Sequence, residues 1–272
     1  MIIAQLTDSH IRADDGLAYG RVDTKAFLAR AVEHLNNLVP PPDVTLVTGD
    51  ICDFGRPGEY QIARQLLDRL AMPYFVIPGN HDHVDNLRAG FEGHDYLPDV
   101  GFLHYVIEDY VVRLIGLDTT IPGEPGGEIC EARRRWLSDQ LNRNIVRPTL
   151  LFMHHPPFLT GIRHMDVQNC AGGAALGQML AAYPQVKTIL CGHVHRSISV
   201  LWHGIEVSIA PSPAHAVTLD LDPEGPPAYH LEPPACRLVY LNDKGLLVNH
   251  LSYIGDFDGP YPFTDTDGKF LE

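Results

Sequence analysis

The chain has 272 residues and 30.2 kDa, enough for one large domain or two small ones and too short for a long repeat array. Hydrophobic residues at 45% against 20% charged give the balance of an ordinary folded core and argue against disorder. Lysine plus arginine number 20 against 34 acidic residues, and the formal charge of −14 disfavours long nucleic acids and anionic membrane surfaces as partners.

No apolar run approaches the ~18 residues needed to cross a bilayer, and the opening MIIAQLTDSH lacks the basic and apolar regions of a leader. A cytoplasmic protein is expected. The five cysteines form no CxxC pair, which suggests reduced buried thiols and not a disulfide framework or a thiolate zinc site. Fifteen histidines beside only two tryptophans make metal chemistry worth following.

Short runs rich in Val, Ile and Leu alternate with helix-periodic stretches, which is the pattern of an α/β fold. Strands are predicted over 1–6, 44–48 and 74–77, with helices over 24–38, N-capped by Thr24, and over 59–70 between them. A hairpin-like pair at 102–106 and 111–117 follows, then a helix over 131–141, a strand over 149–153, a helix over 174–182 and a strand over 188–191. Late strands are expected at 197–202, 206–209, 237–241 and 246–251, and the mixed connectivity suggests two packed sheets. The segment 220–234, which holds DPEGPPAYHLEPP, is too proline-rich for a helix or a central strand and is expected to lie over something as a loop or arm. The tail 255–272 is equally irregular, and both segments are expected to make lid or oligomer contacts.

Polar residues cluster just after the predicted strands, where α/β sheets place their sites. Asp8 and His10 stand two apart in an extended segment, so both side chains project to one side. Gly49-Asp50-Ile51-Cys52-Asp53 follows the second strand, Gly79-Asn80-His81-Asp82 the third, His154-His155-Pro156-Pro157 the fourth, and Gly192-His193-Val194-His195 the next, with His215 beyond a later one. Singly, each is as well explained as a cap or a solvated turn residue. Together, five clusters of oxygen and imidazole donors point to metal ions.

The ordered set D-x-H, G-D-x-x-D, G-N-H-D, H and G-H-x-H, spread over residues 8 to 195, resembles the calcineurin-like metallophosphoesterase family. MHHPP, CGHVH and the GRPGEY after GDICD make it most similar to the bacterial glycerophosphodiesterase and cyclic-nucleotide phosphodiesterase group. The resemblance implies a four-layer α/β/β/α sandwich, two mixed sheets flanked by helices, as a single domain over 1–272. Residues 216–236 would form a cap or dimerisation arm, and the protein a homo-oligomer, at least a dimer. It further implies two divalent or trivalent ions (Fe, Mn, Zn or Co), with Asp8, His10 and His195 on one, Asn80, His154 and His193 on the other, and Asp50 bridging. Hydrolysis by a metal-activated hydroxide follows from such a pair.

Beside Asn80, His81 is placed to stabilise the pentavalent state or protonate the leaving oxygen, with Asp53 orienting its ring. His215 and Asn80 are expected to contact the phosphate. Tyr19 and Arg12, in the loop after the first strand, could shape the leaving-group pocket; His155 reads as structural. The ligand segments offer no arginine clamp of the kind a doubly charged monoester favours, so small diesters are expected, glycerophosphodiesters or 3′,5′-cyclic nucleotides. A phosphomonoesterase or nucleotide phosphatase on the same residues, or a non-catalytic metal-binding scaffold, are the alternatives.

Overall fold

Strands that are apolar on both faces must be covered on both, and this requirement sets the layers. The computed structural model describes residues 1–13 and 16–271. β1 (Ile2–Leu6), β2 (Val44–Thr48) and β3 (Tyr74–Ile77) run parallel, joined by α1 (Thr24–Asn37) and α2 (Pro57–Leu67), with α3 (Val84–Gly90) next. The second sheet uses β4 (Tyr105–Ile107), β5 (Arg113–Leu117), β7 (Thr149–Met153), β9 (Val186–Cys191), β10 (Ile198–Trp202) and β11 (Ile205–Ile209). Its β5, β7, β9 and β11 are parallel, while β4 and β10 close its edges antiparallel. β14 (Ala235–Leu241) returns antiparallel to β1, and β15 (Leu247–Tyr253) borders it, giving the order β15-β14-β1-β2-β3. β6 (Gly127–Glu128) pairs with β8 (Cys170–Ala171), and α4 (Glu131–Arg143), α5 (Arg163–Asp166) and α6 (Gly173–Leu180) complete the helices before the arm.

Period-two alternation sends successive side chains to different layers. On β7, Leu150 and Phe152 face the other sheet, while Leu151 and Met153 face the helices. Ile3, Val44, Leu46 and Ile77 of the first sheet meet Leu114, Leu150, Phe152 and Leu190 of the second in a shared inner layer. Outside, Leu28, Val32 and Leu35 of α1 and Ala63 and Leu67 of α2 cover the first sheet; Leu137 and Leu141 of α4 and Leu176 and Leu180 of α6 cover the second. The molecule is thus α/β/β/α, and each large side chain of the inner layer contributes about 1.5–3 kcal/mol by its burial.

Some local expectations are corrected. Asp23, not Thr24, caps α1, accepting from the Ala26 amide at 3.1 Å. α2 starts at Pro57, whose fixed φ suits a first helical position, and ends three residues before the predicted boundary. The short helices α3 and α5 fall where none was predicted. Within the arm, β12 (Ala216–Val217) pairs with β13 (Tyr229–His230), so the proline-rich stretch is the loop of a short hairpin. Parallel strands of both sheets end at one edge of the sandwich, and every predicted cluster lies just beyond those ends.

Candidate metal centre

The segments leaving β1 and β2 stay zipped together beyond the sheet: His10 N donates to Asp50 O and Ile11 N to Ile51 O, both at 2.9 Å. Five of the candidate ligands then turn with φ between 44° and 74°: Asp8, His10, Asp50, His193 and His195. Such left-handed backbone costs roughly 1–2 kcal/mol per residue, so the surroundings must impose it. Asp8 anchors one crossing by accepting from the His193 amide with both oxygens, at 3.0 and 3.1 Å. Asp82, which sequence reasoning gave no role, anchors another: it accepts from the amides of Gly79, Ile51 and Cys52 and from the Tyr60 hydroxyl. Its place as the last residue of Gly-Asn-His-Asp was the available signal.

The seven candidate ligands converge. The donor atoms of Asp8, His10, Asp50 and His195 lie within 4.8 Å of one another. Asn80 Oδ1 is 3.1 Å from His154 Nε2 and 3.0 Å from His193 Nδ1, and His154 Nε2 is 3.3 Å from Asp50 Oδ2. Asp50 is therefore common to both groups, its Oδ2 also 3.6 Å from His10 Nε2.

The outer nitrogen of each imidazole meets an oxygen. His154 Nδ1 donates to Thr48 O at 2.8 Å, His193 Nε2 to Gln168 O at 3.1 Å and His195 Nδ1 to His215 O at 3.2 Å; His10 Nδ1 meets Asp53 Oδ1 at 3.2 Å. Carbonyl acceptors require the N–H on that side, which assigns the tautomers and leaves the inner lone pairs facing the centre. There, His10 Nε2 and His195 Nε2 face each other at 3.2 Å, acceptor to acceptor, a contact that only a shared proton or a cation relieves. This donor set fits two metal ions.

The electrostatics agree. Burial, with Asp50 beside it, pushes Asp8 up to about 6. Burial pushes Asp50 the same way, but His154 and His81 outweigh it and hold Asp50 well below the usual carboxylate range. Against the lowering effect of burial, Asp50 raises His154 to about 9, while burial takes His193 down to about 3 and His195 well below its ordinary value. The two buried carboxylates thus draw protons onto His154 and His10 while His193 and His195 stay neutral, so the centre is one that attracts positive charge.

His10, Asp50, Asn80, His193 and His195 form the floor of a cavity of about 440 Å³. His81 lines it with its Nδ1 donating to Asp53 O at 2.8 Å, so Asp53 steadies this ring through its carbonyl; the carboxylate, 3.8 Å away, turns to His10 instead. The contact between Asp53 and His81 is thus one of backbone to ring. His215 is buried against the His195 and His10 rings, with Tyr19 at 5.2 Å and Tyr229 of the arm at 5.6 Å between centroids. Tyr19 stands at the rim on Tyr229, 4.8 Å away, and Pro227 and Ala228 continue the wall, so the arm covers its own site. Arg196, after His195, ties that arm down through Val217 O and Glu232, each at 2.7 Å.

His155 lies beside His154 and His193, but both its nitrogens are engaged, by Thr119 Oγ1 and Pro125 O. Arg12 does not line the cavity as expected; it pairs with Asp53. His164 and Met165 of α5, unnoticed in the sequence, form the opposite wall.

These features define a metal-dependent phosphoester hydrolase, and a family model for calcineurin-like phosphoesterases matches residues 1–197. The chain belongs to this family, whose members use a dinuclear metal centre. Over 273 residues, 100% of both chains, it is 43% identical to the probable glycerophosphodiester phosphodiesterase GpdQ of Arcobacter nitrofigilis. Over 261 residues, 94% of this chain and 93% of the relative, it is 34% identical to a probable cyclic nucleotide phosphodiesterase of Rhodopseudomonas palustris. A dimetal phosphatase from Danio rerio shares the fold, with a TM-score of 0.65 at 14% identity over 93% of this chain and 99% of that one.

Proposed function

We propose that this enzyme hydrolyses small phosphodiesters, glycerophosphodiesters first, with Asp8, His10 and His195 holding one metal ion, Asn80, His154 and His193 a second, and Asp50 both. The observation that carries this reading is the convergence of these donors at the floor of a cavity whose described lining includes no lysine or arginine. A monoester brings up to two negative charges and favours a guanidinium clamp, whereas a diester brings one. Imidazole, carboxylate and amide oxygen suit Fe, Mn, Zn or Co. When bound, the pair supplies Lewis acidity at the phosphoryl oxygens and makes water a nucleophile at neutral pH.

Around it, the chain's own groups do the rest. With Nδ1–H on the Asp53 carbonyl, the exposed His81 ring presents Nε2 to the cavity; as the imidazolium, with a second proton on Nε2, it steadies the charged oxygens or passes that proton to the leaving alcohol, and is left neutral. Asn80 and His215 contact the phosphate, and Tyr19 with Tyr229 bounds the ester substituent. That aromatic pair also offers a flat face for a nucleobase, which favours 3′,5′-cyclic nucleotides as the second reading, in keeping with the Rhodopseudomonas relative.

In the presence of Mn²⁺ or Co²⁺, turnover of bis-p-nitrophenyl phosphate is expected to exceed that of p-nitrophenyl phosphate. A monoester preference overturns the substrate class, and absence of any turnover with metal bound favours a scaffold. Five free cysteines, four of them buried, support a cytoplasmic location. Exposed Leu219, Leu221 and Leu231 of the arm and Phe263 and Phe270 of the tail support a homo-oligomer, which sedimentation as a monomer at micromolar concentration would refute.

A further inference from the structure

The zipped segments beyond β1 and β2 bring Arg12 opposite Asp53: Ile11 bridges Cys52, and the Asp53 amide donates to Ile11 O at 3.1 Å. Arg12 Nη1 then donates to Asp53 Oδ2 at 2.9 Å, while Asp53 Oδ1 takes His10 Nδ1 at 3.2 Å. The guanidinium also lies 4.5 Å over the Phe54 ring, whose other contact of this kind is Arg56 at 4.6 Å. Asp53 is buried, so its carboxylate depends on such partners for its orientation. A line of contacts thus runs from Arg12 through Asp53 and His10 to the group that contains Asp8, Asp50 and His195.

We propose that Arg12 is a positioning residue of the metal centre. By holding the Asp53 carboxylate it fixes the orientation of the His10 ring, keeps its inner nitrogen aimed at the centre, and so sets the affinity of the ion held by Asp8, His10, Asp50 and His195. The ion held by Asn80, His154 and His193 has separate supports, the carbonyls of Thr48 and Gln168, and does not depend on Arg12. Arginine suits this place because its charge is permanent and its fork can serve a carboxylate while its flat face lies on an aromatic ring. The proposal rests on the dinuclear reading above.

The test is calorimetric titration of the metal-free full chain with Mn²⁺, for wild type, Arg12→Ala and Arg12→Lys. Wild type is expected to show two binding events. Arg12→Ala weakens one of them by about tenfold, the low end of the loss from removing a ligating histidine's own outer partner because Arg12 acts one contact further out, and leaves the other within about twofold. Arg12→Lys, which restores the charge without the fork, recovers part of the loss, and it replaces Arg12→Ala as the deciding variant should the latter not fold. If wild type shows fewer than two events, the dinuclear reading fails. If wild type shows two and the variants leave both unchanged, or weaken both equally, that reading stands and Arg12 is not a positioning residue.

Discussion

Asp50→Ala is expected to lower phosphodiester turnover by about 10³-fold or more. Asp50 is the carboxylate common to both donor groups, 3.3 Å from His154 Nε2 and 3.6 Å from His10 Nε2. Paired ions contribute several kcal/mol of charge stabilisation to phosphoryl transfer, and each ~1.4 kcal/mol is a factor of ten in rate. The substitution also removes the acceptor of the His81 amide, Asp50 Oδ1 at 2.8 Å, and with it a support for the ring that faces the substrate. Asp50→Asn separates the two effects, since it keeps an oxygen for that amide and loses only the charge. Both variants are expected to fold, as judged by circular dichroism, and both to bind at most one ion in a metal analysis. Turnover within tenfold of wild type for Asp50→Ala would remove Asp50 from the centre of the chemistry.

Gly79→Ala is expected to have the next largest effect, although residue 79 contributes no side chain. A Cβ there would lie 2.2 Å from Asp50 Oδ1 and 2.3 Å from Asp50 N, distances at which the backbone must move. The loops after β2 and β3 would have to separate, carrying Asp50 away from Asn80 and His81 and breaking the Gly79 bond to Asp82 at 2.9 Å. A displacement of about 1 Å at a reacting centre costs on the order of 10²-fold in rate, and overpacking costs about 1–3 kcal/mol in stability. Steady-state turnover should therefore fall at least that far, with a lowered melting temperature and weakened metal binding. A Gly79→Ala enzyme of wild-type activity would mean that Asp50 and the Asn80 loop need no such close approach.

Much of this was legible in the sequence because the informative residues are chemically distinctive. Runs such as Thr-Leu-Leu-Phe-Met at 149–153 are apolar on both faces and read as buried strands, and the ligand candidates sit just after them. α3 and α5, of seven and four residues, are too short to show a helical period. The supports of the ligands were the least legible. Two of the outer nitrogens meet the backbone carbonyls of Thr48 and Gln168, which any residue could supply, and the first is 106 positions away from His154. The direction of the Asp53 side chain was equally hidden, since the His10 and His81 rings on either side of it lie only 4.6 Å apart though they come from different loops. The arm's composition excluded a helix, but its target depended on the pairing of two residues with two others across a proline-rich loop.

The most direct test of a two-ion centre is a crystal structure of the Mn²⁺-loaded protein with anomalous scattering measured at the manganese edge. Two peaks are predicted, one among Asp8, His10 and His195 and one among Asn80, His154 and His193, with a carboxylate oxygen of Asp50 lying between them. A single peak, or peaks elsewhere with these side chains uncoordinated, would contradict the account.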